Sequence, residues 1–270
     1  MPNRSDAEVS REVAQEAGRL LLDLRASFGP ADDKDSANAL RKQADEASHV
    51  RIMELLTAAR PNDAVLSEEG KDDAARLEAE RIWIVDPLDG TYEYGQGRAD
   101  FAVHVALWEP DGAVLSACTV DLPAQGLTRS VLDDVREPAG VPSDRPVRIV
   151  ASRSRPPATL GATVERLGAL LDAAGVAHRG VEVVDVGSVG AKVNEILCDR
   201  ADAYVHDTGF YEWDVAAPYG VAAHFGLVCS HLDGSPVTFN HMPPYVADLM
   251  VSRPAIAGYL RAALREAADS

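Results

Sequence analysis

The sequence predicts a fold of the α+β to α/β class, and three observations carry that expectation. Apolar residues recur at helical spacing through residues 6–59 and then give way to short apolar runs that read as strands. Residues 101–109 and 113–120 alternate in polarity on either side of Pro110-Asp111-Gly112, the pattern of a β-hairpin. From residue 147 onward strand-like and helix-like stretches alternate, as in an α/β lobe. At 270 residues the chain can bury a substantial core, as one large domain or two lobes. The proline- and charge-rich stretch 131–146 reads as the connection, which places an N-terminal α+β lobe at 1–140 and a C-terminal α/β lobe at 141–270.

In residues 6–27, Val9, Val13, Ala17, Leu20, Leu21 and Leu24 fall on one helical face, and Gly29 and Pro30 end the helix. A second helix spans residues 36–59, with Leu40, Ile52, Leu55 and Leu56 on its buried side. Asp45 lies within it and, taken alone, reads as an exposed helix acid. After Pro61-Asn62-Asp63, the short strand Ala64-Val65-Leu66 delivers Glu68 and Glu69 at its tip, with Gly70 allowing the turn.

The run Ile82-Trp83-Ile84-Val85 reads as a buried strand that Pro87 and Gly90 break, leaving Asp86 and Asp89 at its end. A carboxylate is expensive to desolvate unless something positive meets it, so two within four residues suggest a cation. Thr91 sets a hydroxyl beside them, and Pro87 helps turn the Leu88 carbonyl inward. Such hard oxygen donors suit magnesium or manganese rather than zinc. Read in isolation, DPLDG is equally a tight turn with solvated acids. Convergence decides between the two, because neighbouring strands of one sheet would bring Glu68 and Glu69 to the same rim as Asp86 and Asp89.

His104 points from the opposite face of the hairpin's first strand and reads as structural, no second histidine being near it. Residues 147–152 form a strand leading into Ser152-Arg153-Ser154-Arg155, where arginine forks and hydroxyls suit phosphate oxygens, although a solvated turn has the same composition. A helix over 157–174 and a strand over 181–186 follow. The next helix, 187–198, opens with Gly187-Ser188-Val189-Gly190-Ala191-Lys192. Its first backbone donors would receive an anion and Lys192 would add charge one turn later, without the spacing of a nucleotide-binding P-loop. Residues 201–207 read as a strand, and a helix begins at Asp214, which is either its N-cap or a further metal ligand. Residues 255–267 make a final helix.

Composition narrows the function. The formal charge is −17, with 43 acids against 26 Lys and Arg, which argues against binding duplex nucleic acid through the general surface. Small phosphorylated substrates remain admissible where a cation or a few arginines receive them. No apolar run approaches the ~18 residues that span a membrane. The charged N-terminal stretch lacks the core of a signal peptide, so a cytoplasmic protein is expected. Cys118, Cys198 and Cys229 are odd in number and far apart, which indicates buried thiols rather than a disulfide framework or a zinc site.

The motifs SEEG, WIVDPLDGT and WDVAAP, in this order, resemble the magnesium-dependent, lithium-sensitive phosphatase superfamily that includes inositol monophosphatase, and the resemblance spans nearly the whole chain. It implies the layered αβαβα sandwich of the inositol monophosphatase and fructose-1,6-bisphosphatase type. It also implies Glu68, Asp86, Asp89 and Asp214 as metal ligands with the Leu88 carbonyl, two or three Mg2+ ions that Mn2+ can replace, and Asp45 with Thr91 as the pair that orients the attacking water. SRSRPP, GSVGAK, DAYVHDTGFYEWDVAAPYGVA and LDGSPVTFN look most like the CysQ-type 3′-phosphoadenosine 5′-phosphate phosphatases of sulfur metabolism. That similarity implies a small phosphorylated nucleotide as substrate, contacted by Gly90, Ser152, Arg153, Ser154, Ser188 and Lys192, and is compatible with a homodimer. Two departures from the family pattern are Lys42-Gln43 ahead of Ala44-Asp45, where a threonine is usual, and HFGLVCS, which lacks the usual double glycine. The residues leave open the same chemistry on inositol phosphate, histidinol phosphate or a specialised nucleotide, a phosphate-sensing module without catalysis, and an oligomeric scaffold.

Overall fold

The computed structural model describes residues 4–29 and 33–268. Helix α1 (Asp6–Phe28) starts at a capping box in which Ser5 and Glu8 exchange hydrogen bonds, and it ends at Gly29, whose φ of 79° suits glycine. Pro30, the other expected stop signal, lies outside the described residues. Helix α2 (Lys34–Ala59) follows, then strand β1 (Ala64–Ser67), β2 (Ile82–Asp89), the short helix α3 (Thr91–Gly95), β3 (Ala102–Glu109), β4 (Val114–Leu122) and β5 (Leu127–Ser130). The hairpin between β3 and β4 turns at the expected Pro-Asp-Gly.

The second half contains β6 (Val147–Ser152), α4 (Leu160–Ala173), β7 (Val181–Val186), α5 (Val189–Leu197), β8 (Ala203–His206) and β9 (Phe210–Tyr211). It continues through α6 (Glu212–His224), β10 (Val228–Ser230), β11 (Tyr245–Val246), β12 (Leu249–Ser252) and α7 (Pro254–Ala268). Strands β1 to β5 make one sheet in sequence order; the second runs β10-β12-β8-β6-β7, and β9 pairs with β11 as a separate ribbon. No helix among the described residues is long and apolar enough to cross a membrane.

Strand periodicity stacks these parts into five layers. Alternate residues of a strand face opposite sides of its sheet. On the outer face of the first sheet, Trp83, Val85, Phe101, Val103, Val105 and Leu107 pack against Leu21, Leu40, Ile52 and Leu56 of α1 and α2. On its inner face, Ile82, Ile84, Ala102, Ala106 and Val120 share one core with α5, α6 and the near face of the second sheet. The far face of that sheet packs Val147, Ile149 and Val205 against α4 and α7. Both faces of each sheet are covered, so β2 and β3 read as continuous apolar runs rather than strict alternations. The architecture is the layered αβαβα sandwich expected from the sequence.

Candidate active site

Strands β1 and β2 are parallel, with Ser67 opposite Val85, so the next residues on each, Glu68 and Asp86, leave the sheet at one rim. The Glu68 N–H donates to the Val85 carbonyl at 3.4 Å. Beyond Asp86 the pairing of β2 with β3 slips before resuming at Asp89, because Pro87 has no N–H to give the ladder. The turn closes on itself: Asp86 Oδ1 accepts from Leu88 N–H at 2.9 Å, and Ser48 Oγ on α2 donates to the Pro87 carbonyl at 2.7 Å. Gly90 then bends the chain with φ 87°, and a Cβ there would lie 3.2 Å from both the Asp100 carbonyl oxygen and Phe101 Cα. Thr91 opens α3; its Oγ1 donates to the Leu88 carbonyl at 3.0 Å and stands 3.5 Å from Asp45 Oδ1.

Two expectations about helix starts need correction. Asp214 is the third residue of α6 rather than its N-cap, and its carboxylate reaches back to accept from Tyr211 N–H at 2.8 Å. The ribbon of β9 and β11 carries the chain into helix two residues earlier than the sequence suggests. The start of α5, expected to receive a substrate anion, is already committed. Val189 and Gly190 donate to Asp89 Oδ2 at 2.6 and 3.4 Å, and Ser188 Oγ caps its own helix by accepting from Ala191 at 2.9 Å. The positive end of the helix thus holds the nearest fixed carboxylate. His104, buried behind Asp89, brings Nε2 to 3.3 Å from the same Oδ2. Gly190 permits this approach, since a Cβ there would sit 2.6 Å from His104 Nε2.

Electrostatics identify what the rim lacks. Burial pushes the Asp86 carboxyl far above its ordinary range, and the charges of Glu68, Asp89 and Asp214 push it further. Asp214 rises to about 8 through burial and then Asp89 and Glu68. Glu68, more open to solvent at the rim, rises to about 7 through burial, Asp89 and Glu69. Asp45 rises to about 7 through burial, then Glu69 and Glu68. Asp86 Oδ2 is buried without a hydrogen-bond partner among the described residues. Acids that hold protons on one another around an orphaned oxygen fit a divalent cation, and the oxygen donors of Glu68, Asp86, Asp89, Asp214 and the Leu88 carbonyl fit a hard one. Ligand atoms of Asp86, Asp89 and His104 lie within 4.8 Å of one another. The imidazole stands behind Asp89 and supports it.

Beside this cage opens a cleft of ≈600 Å3 lined by the turn from Gly90 to Glu93, by Ser152 to Arg155, and by Ser188, Lys192, Tyr204, His206 and Phe210. Lys192 is 3% exposed; its Nζ donates to the Gly187 carbonyl and lies 5.3 Å from the centre of the Tyr204 ring, and burial lowers it to about 8. Arg153 is fully engaged with the wall, bonding Glu93 at 2.9 Å and Asp100 at 3.2 Å. Burial opposes ionisation of Asp100, but Arg98, Arg153 and Gly187 N–H outweigh it and hold the carboxyl down to about 2. The sequence reading missed His206, Tyr204, Glu93 and Asp100; only Arg155, in the same tetrapeptide as Arg153, carried a visible signal. A second cavity, ≈540 Å3, lies at the other end of α5 around Arg129 and Cys198 and contains none of the clustered acids.

The chain matches the model of the inositol monophosphatase family over residues 3–267. It is 40% identical over 259 residues to the 3′-phosphoadenosine 5′-phosphate phosphatase of Mycobacterium tuberculosis, covering 93% of this chain and 90% of that protein. It is 29% identical to the 3′(2′),5′-bisphosphate nucleotidase CysQ of Escherichia coli K12, covering 85% and 92%. The crystal structure of CysQ from Bacteroides thetaiotaomicron superposes with a TM-score of 0.72 at 25% identity, over 92% of this chain and 97% of that one.

Proposed function

The chain belongs to the inositol monophosphatase family, and from that premise we propose that it is a magnesium-dependent phosphatase removing the 3′-phosphate of 3′-phosphoadenosine 5′-phosphate to give AMP and phosphate. The observation that carries this reading is the convergence of Glu68, Asp86, Asp89 and Asp214 at one rim, next to a cleft that Arg155 and Lys192 also line. Relatives that share most of the chain's length and bear that activity in their names support the substrate.

Glu68, Asp86, Asp89, Asp214 and the Leu88 carbonyl would hold two or three Mg2+ ions, which Mn2+ can replace. When bound, the ions offset the substrate's charge and acidify the attacking water. The remaining work belongs to side chains. Thr91 Oγ1, fixed on the Leu88 carbonyl, orients the water, and Asp45 Oδ1 takes its proton. The N–H groups of Val189 and Gly190 hold Asp89 Oδ2, so that this carboxylate meets the cage in one orientation. Gly90 lets the substrate approach the turn closely, and Ser152, Ser154, Ser188 and Lys192 line the place of its ribose and second phosphate. Residues 1–140 act as the lobe that carries most ligands and 141–270 as the lobe that supplies Asp214 and the cleft. The protein works in the cytoplasm without a nucleic-acid or membrane partner.

The test is phosphate release, with and without magnesium, from 3′-phosphoadenosine 5′-phosphate, inositol 1-phosphate, fructose 1,6-bisphosphate and histidinol phosphate. Magnesium-dependent release with preference for the adenosine bisphosphate is expected. Preference for another member would keep the cage chemistry and discard the substrate, and no release from any would discard both.

A further inference from the structure

The cleft contains two arginines from one turn, and their situations differ. Arg153 spans the wall: one guanidinium nitrogen meets Glu93, the other meets Asp100, and the Asp185 carbonyl lies at 3.5 Å. Asp100 in turn accepts from Gly187 N–H at 2.9 Å, and its carbonyl accepts from Ser188 N–H at 3.1 Å. Arg153 therefore ties the β6 turn through Asp100 to the loop before α5, bonded to Glu93 and sharing Asp100 with Arg98. A guanidinium already facing two carboxylates has little left for a phosphate, whose approach those carboxylates oppose.

Arg155 is exposed two residues later, lining the same cleft, and its guanidinium has no hydrogen bond or ion pair among the described residues. Its backbone N–H is held by Ser152 Oγ at 3.2 Å, which fixes the turn that presents it. It shares the lining of the cleft with Asp214, Tyr204 and His206, and its charge acts on all three. A buried histidine lines the same cleft. His206 is 3% exposed, its Nε2 is engaged with the Gly209 carbonyl at 3.1 Å, and its Nδ1 has no partner among the described residues. Burial keeps the imidazole neutral, so the Nε2–H donates and Nδ1 offers a lone pair.

We propose that Arg155, rather than Arg153, is the specificity-determining cation of the cleft, taking the phosphate that is not hydrolysed, while Arg153 is a positioning residue of the wall. This rests on the bisphosphate reading of the site. In an acidic chain, a guanidinium without a carboxylate partner at a cleft mouth recognises the second phosphate by a paired, planar contact that lysine reproduces only in part.

The experiment compares kcat/KM for adenosine 3′,5′-bisphosphate with that for adenosine 3′-monophosphate, which differs only by the second phosphate. For Arg155→Gln the ratio of the two is expected to fall about 10- to 100-fold, the loss of one charge-assisted contact, mainly through KM of the bisphosphate. Arg155→Lys should recover part of it. Arg153→Gln should lower both substrates together and reduce thermal stability, leaving the ratio within about twofold of wild type, as for a residue that shapes the wall. An unchanged ratio in Arg155→Gln, or a collapse of the ratio confined to Arg153→Gln, overturns the assignment while the bisphosphate reading stands. A wild-type enzyme that does not prefer the bisphosphate over the monophosphate overturns the reading itself, and the assignment with it.

Discussion

Replacing Asp214 by asparagine should abolish turnover and yet make the metal-free protein more stable. The side chain sits at the third position of α6, and an asparagine oxygen can keep its bond to Tyr211 N–H, so local geometry survives. What disappears is a charge that burial, Asp89 and Glu68 disfavour, raising its carboxyl from 3.8 to about 8. A raised folded-state value means that the folded protein binds more protons than the unfolded chain between about pH 4 and 8, so stability falls as pH rises through that window. Because Asp89 and Glu68 bear part of the same repulsion, removing this one charge is worth on the order of 3 kcal/mol.

Urea unfolding in chelator, followed by circular dichroism, should therefore show wild type and Asp214→Asn equally stable near about pH 4.5, the variant ahead by about 3 kcal/mol near about pH 8. Adding magnesium at about 1,000 times its dissociation constant should reverse the order, since wild type gains about 4.1 kcal/mol of binding linkage that the variant largely lacks. A stability difference that does not change with pH, or an equal magnesium gain in both proteins, would refute the cage as a mutually repelling cation site.

Thr91→Ala should lower kcat about 100- to 1,000-fold with KM for the substrate nearly unchanged, in steady-state phosphate release; an effect confined to KM would contradict its place beside the attacking water. Gly90→Ala should destabilise by about 1–3 kcal/mol in thermal melts, because an alanine at φ 87° is strained and its Cβ crowds Asp100 and Phe101 at 3.2 Å. Asp121, buried on β4 and bonded to Thr128 Oγ1 at 2.6 Å, is raised by burial from 3.8 to about 6. Its folded-state value is raised, so wild type should lose stability relative to Asp121→Asn as pH climbs from about 4 to 6, by at most about 3 kcal/mol, with magnesium present throughout. A pH-independent offset between the two melts would show that this carboxyl is not perturbed.

The helices and strands that build the site were legible because each has a local cause. Val9 to Leu24 fall on one face of α1, a Pro-Asp-Gly turn closes β3 and β4, and Pro87 with Gly90 ends β2 where its acids stand. The short strands β5, β10, β11 and β12 left no such signature, since each has four residues or fewer, and β11 and β12 take their partners β9 and β8 from distant sequence. The start of α6 was misplaced for the same reason: the ribbon that sets it pairs Tyr211 with Tyr245.

From the sequence by itself, Glu68, Asp86 and Asp89 fall at the ends of apolar strands, where a cation would offset their burial, and the family resemblance adds Asp214 to the proposed donor set. Only the tertiary structure decided how the surrounding charges are spent. It set the first N–H groups of α5 on Asp89 instead of on a substrate, and it matched Arg153 with Glu93 and Asp100 from another layer of the fold. It also left Arg155 facing the cleft. Arg153 and Arg155 are chemically identical and two residues apart, so nothing local distinguishes them; their roles depend on which carboxylates the packing of two sheets brings within hydrogen-bond reach.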